Sequence, residues 1–257
     1  MTLLGQEADM DQRVLNSKYL LLGVAFLLSG CGSTELPVEG KSAEDVYKEA
    51  DRFLKEESFE DAANRFKDVE TYFPYSEKAS NAQIMSAYSH FKKAGYEDAI
   101  RELEVFLRYH PSNKLVPYAM YLRAVSKYMM VASAGRDSNP AKEARHAFVE
   151  LLNRFPTCKY SKDSQAKIII LDDIIAAHEM VVGRYYQNIK SSLAAINRYN
   201  YVISMFPNTK SVEEALFRVA ECCQNEGLTE EADNARQVLK TRFPNGIWTK
   251  RLSKQNT

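Results

Sequence analysis

Neither sign of charge prevails in this 257-residue chain: 34 lysines and arginines stand against 34 aspartates and glutamates. Such a balance offers no basic stripe for a phosphate backbone, so nucleic acid is not an expected partner. Long apolar runs are missing too. The stretch from Tyr19 to Leu28 would rise only ~15 Å as a helix, half of a ~30 Å hydrocarbon core, and does not span a bilayer. Histidine is scarce, with four copies, and His90, His110 and His146 are scattered. His178-Glu179 begins like the zinc motif H-E-x-x-H, but Val182 stands where the second histidine belongs. Neither G-x-x-x-x-G-K-[ST] nor G-x-G-x-x-G occurs, and Asp172 and Asp173 are sequence neighbours, which diverge around a helix instead of facing one another. No metal site, no cofactor site and no enzymatic chemistry is expected. Of the four cysteines, Cys158, Cys222 and Cys223 lie beyond the leader with no histidine at ligand spacing. Adjacent thiols on one helix point to different faces, so Cys222 and Cys223 are expected as buried thiols, not as a disulfide.

What is present begins with Cys31. Arg13 and Lys18, the short apolar stretch, and Leu28-Ser29-Gly30 before Cys31 follow the order of a leader: basic flank, apolar region, small-residue cleavage site. Glu7, Asp9 and Asp11 make the first eleven residues acidic, and Met10 is an alternative start with the better flank. Leu28 to Cys31 resembles the bacterial lipobox. That resemblance implies cleavage before Cys31, a diacylglycerol on its thiol and an acyl chain on its new amine. Each buried CH₂ would contribute ~0.8 kcal/mol, so two or three chains anchor firmly where one does not. Gly32 stands where lipoproteins kept in the inner membrane usually carry aspartate, which favours the outer membrane. Residues 1–30 are thus expected as a removed signal peptide and 31–42 as a lipidated tether, with turn and linker residues from Ser33 to Gly40.

The remainder repeats. Phe or His, then Pro, then small polar residues occur as FPYSEKA at 73, HPSNKLV at 110, FPTCKYS at 155, FPNTKSV at 206 and FPNG at 243. The prolines, at 74, 111, 156, 207 and 244, fit a 34-residue tetratricopeptide unit lengthened by insertions. Twelve residues before each proline stand Ala62, Ala99, Ala144, Ala195 and Ala232, where two helices must pack closely. Four residues further come Phe66, Leu103, Phe148, Tyr199 and Arg236, the last departing from the pattern as a terminal capping unit does. Ala50, Ala87 and Ala220 take the small position on first helices, and Gly95 and Gly227 suit a positive φ in the turn between helices. The expected fold is all-α: a right-handed solenoid of five tetratricopeptide-like helix pairs over 43–246, its concave face made mainly by first helices, with a tail at 247–257. In the third unit Gly135, Ser138, Asn139 and Pro140 mark an extended loop leading into a helix start. In the fourth, the helices run longer than a simple repeat requires, Ile168 to Ile175 reads as buried on most sides, and Tyr185 and Tyr186 sit near the turn.

The lipobox, the five repeats, YFPYSEKAS, GRDSNPAKEARHAFVELLNRFPTCKYSKDS, and HEMVVGRYYQ followed by AAINRY together resemble the BamD/ComL family of outer-membrane assembly lipoproteins, over roughly residues 31 to 245. The resemblance implies an adaptor on the periplasmic face of the outer membrane. It would bind the POTRA domains of BamA, sit with other lipoproteins of the β-barrel assembly (BAM) complex, and recognise C-terminal signals of unfolded outer-membrane proteins. It places signal recognition at Phe73, Pro74 and Tyr75, and partner contact at Asn197 and Arg198. An aromatic-lined groove suits an extended peptide with an aromatic end, and arginine suits a carboxylate. Each has a second reading: Phe73 and Tyr75 pack repeat one onto repeat two, Arg198 is a solvated helix residue, and Arg136 and Asp137 order their own loop. A competing function is a repeat lipoprotein that scaffolds peptidoglycan hydrolases or secretin and pilus assembly.

Overall fold

The computed structural model describes residues 38–132 and 137–255, which leaves Cys31, the leader, most of the tether and Arg136 outside the described residues. Eleven helices and no strand occur among the described residues. The first ten form five consecutive pairs: α1 (Ala43–Lys55) with α2 (Phe59–Tyr72), α3 (Ala79–Lys92) with α4 (Tyr96–Tyr109), α5 (Val116–Val131) with α6 (Asn139–Arg154), α7 (Ser161–Asn188) with α8 (Ser192–Met205), and α9 (Ser211–Asn225) with α10 (Thr229–Arg242). Each pair packs on the next, which is the stacked-hairpin architecture that the repeat spacing predicts.

Local chemistry explains the pairs. The stack opens at a capping box on α1: Asp45 N–H donates to the Ser42 hydroxyl, and Ser42 N–H returns a bond to the Asp45 carboxylate, each at 3.2 Å. The five alanines twelve residues before each proline are all fully buried. Phe66, Leu103, Phe148 and Tyr199 behind them are buried just as completely, each apolar side chain contributing on the order of 1.5–3 kcal/mol. Arg236 instead reaches Asp233 and Gln224 on its own end of the stack.

Every second helix ends in the same turn. The N–H groups of Phe73, His110, Phe155, Phe206 and Phe243 donate to the carbonyls four residues back. The residue three beyond each then donates to that Phe or His carbonyl, as in Ser76 to Phe73 and Asn113 to His110. Proline fits the position between them because no amide hydrogen is needed there.

Within four of the pairs, the turn between helices is a Schellman motif, as in Gly95 N–H to the His90 carbonyl and Ala94 N–H to that of Phe91. Here the expectation for glycine needs a correction. Gly227 takes φ +74°, but in the second pair the left-handed residue is Ala94 at φ +62°, with Gly95 one place later at φ −78°. Glu57 and Lys190 take the equivalent left-handed position in the first and fourth pairs.

Two further expectations change. The segment read as a tail folds as α11 (Ile247–Gln255), whose Leu252 is buried and whose Trp248 ring lies 5.0 Å from Phe217 on α9. Ile168 to Ile175 is not buried on most sides: Leu171 and Ile175 are, while Ile169, Ile170 and Ile174 are exposed. The reason is the length of α7. It has 28 residues against 14 in α3, and its neighbours cover one side only. Gly183 lies five residues before the end of α7, as Ala87 does in α3, so the extra residues lie toward the N-terminus. Cys222 and Cys223 are buried free thiols as expected. The core forms two clusters, one from Ile84 to Leu151 and one from Ala124 to Leu252, with Tyr121 packed against both.

Candidate functional site

The fourth pair is locked together at Gly183, where any Cβ would overlap the ring of Tyr199. The Tyr199 hydroxyl then donates to Gln187 at 2.9 Å, fixing the register of α8 along α7. That register brings Arg198 to Glu179. The Glu179 carboxylate is only 3% exposed, and a desolvated charge of this kind needs compensation on both oxygens. It has it: Lys142 of α6 donates at 3.1 Å to one oxygen and Arg198 Nη1 at 3.2 Å to the other. One buried carboxylate thus ties three helices.

Arg198 remains half-exposed, with its side chain at 46%, and among the described residues its hydrogen bond is to Glu179. It lines a cavity of about 280 Å³ together with Tyr186, Ala194, Asn197 and Tyr201. Tyr185, exposed, sets its ring edge-on to Tyr186 at 5.7 Å. The neighbouring arginines are occupied differently. Arg184 gives Nη1 to both oxygens of Glu214 at 3.1 Å, and Arg218 bonds Glu214 and Glu221. Arg198 therefore presents a guanidinium held on one edge and open on another, beside an amide and two tyrosines. That arrangement suits an incoming carboxylate.

The structure places Asn197 and Arg198 together at this cavity. It sets Phe73, Pro74 and Tyr75 on one turn without walling a groove: Phe73 is half-buried at the end of α2, Pro74 is exposed, and Tyr75 is fully exposed with no ring contact. Asp137 accepts from Asn139 N–H at 2.9 Å and so orders its own loop. Glu179 and Lys142 were missed as site residues by sequence reasoning, which gave Glu179 no role beyond a failed zinc motif and a place in HEMVVGRYYQ. The one available signal was that His178-Glu179 and Asn197-Arg198 both belong to the stretches that carry the family resemblance.

Residues 39–239 match the family YfiO, described as outer membrane lipoprotein. Among curated proteins, the outer membrane protein assembly factor BamD of Rickettsia prowazekii is 34% identical over 235 residues, covering 89% of this chain and 91% of the relative. BamD of Caulobacter vibrioides is 32% identical, covering 88% and 75%. BamD of Neisseria meningitidis serogroup A is 33% identical, covering 79% and 80%.

Proposed function

This chain belongs to the YfiO family of outer membrane lipoproteins, and from that membership we propose that it is a non-enzymatic adaptor of the β-barrel assembly complex. A role in outer-membrane protein assembly agrees with the names of its relatives. In the finer reading, Arg198 and Asn197 receive an acidic side chain from a periplasmic POTRA domain of BamA. The observation that carries it is the Arg198 guanidinium, fixed from behind by a buried carboxylate and open toward a cavity with aromatic walls. Fixing one edge means that less side-chain freedom is lost when the partner arrives. Phe73, Pro74 and Tyr75 receive the aromatic C-terminal signal of unfolded barrel proteins; full exposure of Tyr75 leaves its ring available to such a peptide. No helix among the described residues is long and apolar enough to cross a membrane. The anchor in this reading is acylated Cys31, which holds the domain on the periplasmic face.

The test is co-purification from detergent-solubilised envelopes of the native cell. BamA should be recovered together with barrel precursors, and Arg198→Gln should reduce BamA recovery about tenfold, the equivalent of ~1.4 kcal/mol. Recovery of peptidoglycan hydrolases or secretin components without BamA would support the scaffold function instead. Mass spectrometry of the same material should find Cys31 N-terminal and triacylated.

A further inference from the structure

The outer face of α7 carries a row of uncovered apolar side chains. Ile170, Ile174, Ala177, Val181 and Tyr185 recur at helical spacing on the side opposite Leu171, Ile175, Glu179 and Gly183, and all five are exposed, Val181 to 56% and Tyr185 to 61%. From Ile170 to Tyr185 the row runs ~22 Å along the axis. No charged residue interrupts it, and Asp173 and Arg184, which flank it, are engaged within the fold, Asp173 with the backbone N–H of Lys210 and Arg184 with Glu214. Scattered apolar residues on a surface are ordinary, whereas an uninterrupted row along four turns is a candidate docking surface.

Its continuation identifies the occupant. At the C-terminal end, the Tyr185 ring packs on Tyr186, which lines the Arg198 cavity, so the apolar row leads into the site of partner contact. We propose that the row and the cavity are one docking surface, and that its occupant is an amphipathic α-helix of the same partner. That helix presents apolar residues at i, i+4, i+7 and i+11 with a carboxylate at the end that meets Arg198. This rests on the reading of Arg198 given above. A ridge of side chains at i, i+4 spacing packs into the groove of a second helix. Addition of a strand is disfavoured, because the amides and carbonyls of α7 are spent within the helix and offer no edge to pair.

The experiment uses the full lipidated chain in detergent and the periplasmic region of BamA from the same organism, with Val181→Asp, Ile170→Asp and Arg198→Gln measured beside the native chain. Both aspartate substitutions fall at exposed positions, and circular dichroism checks that helicity is kept. Each should weaken binding about tenfold, as for truncation of an interface anchor. A photo-crosslinker at 174 should capture a helical segment with that apolar spacing. If Arg198→Gln weakens binding while Val181→Asp and Ile170→Asp leave it unchanged, the apolar row is not part of the surface and the Arg198 reading stands. If the native chain binds no BamA region, both fall. Capture of a strand overturns the helical occupant. A self-association seen by sedimentation and abolished by Val181→Asp makes the row an interface between copies, and also overturns the proposal.

Discussion

Glu179 and Arg198, nineteen residues apart on neighbouring helices, meet at 3.2 Å in a seam where the carboxylate has almost no contact with water. With Lys142 on its other oxygen, this carboxylate is the counter-charge for two cations. Glu179→Gln should destabilise the fold by about 1–3 kcal/mol in urea titrations, below the 3–5 typical of a fully buried pair because both cations reach water. It should also weaken BamA association, since Arg198 loses the group that holds it.

Gly183→Ala should cost about 1–3 kcal/mol, the range for overpacking a filled core, because the added methyl falls on the Tyr199 ring. Tyr199→Phe keeps the ring and loses only the bond to Gln187, at about 1 kcal/mol. Reversal of that order in thermal or urea unfolding would show that the ring contact does not set the register.

Ala94 is left-handed without being glycine, a conformation that costs an L-residue roughly 1–2 kcal/mol. Ala94→Gly should therefore stabilise by about 0.5–1 kcal/mol despite the added freedom of the unfolded chain. Gly227→Ala, at φ +74°, should do the opposite. Paired unfolding midpoints test both signs.

Burial pushes the Cys222 thiol up to about 11, with a smaller contribution from the charge of Glu221. The unfolded chain holds this thiol near ~8.5, so it releases its proton before the native state does. Stability from this group is intact below pH ~8.5 and declines from there toward pH 11. Urea midpoints at pH 8 and pH 9.5 should differ more for the native chain than for Cys222→Ala, and alkylation at pH 8 should reach Cys158 well before Cys222.

Glu213 accepts from the N–H of Trp248 at 2.8 Å and of Thr249 at 3.4 Å, which caps the start of α11. Trp248 is the sole tryptophan. Glu213→Ala should cost about 1 kcal/mol and shift the tryptophan emission to the red as α11 leaves Phe217. Unshifted emission would mean that ring packing alone holds the last helix.

The stack was legible because its repeating elements are local. A proline in the turn and an alanine twelve residues earlier report close helix packing wherever they recur, and all five alanines are buried. Ile168–Ile175 was misread because apolar composition states what a segment would bury, not whether a neighbour is there to bury it; α7 is longer than its neighbours can wrap. Gly95 was misplaced by one residue because a Schellman turn tolerates alanine at the left-handed position. Asn197 and Arg198 were named from the family resemblance, but the pairing of Arg198 with Glu179 depends on how three helices are rotated, which no single-helix pattern encodes. The pairing also decides the choice of probe: Arg198→Gln is cleaner than Arg198→Glu, which would set a second carboxylate beside Glu179.

Tyr121 of α5 joins the two parts of the core. Its ring touches both core clusters and stacks at 4.4 Å on Tyr160, the residue immediately before α7 begins. Seated against α6, α8 and α9, α7 works as a splint across the later units. A load on the outer flank of α7 is therefore passed to helices of the third, fourth and fifth units together.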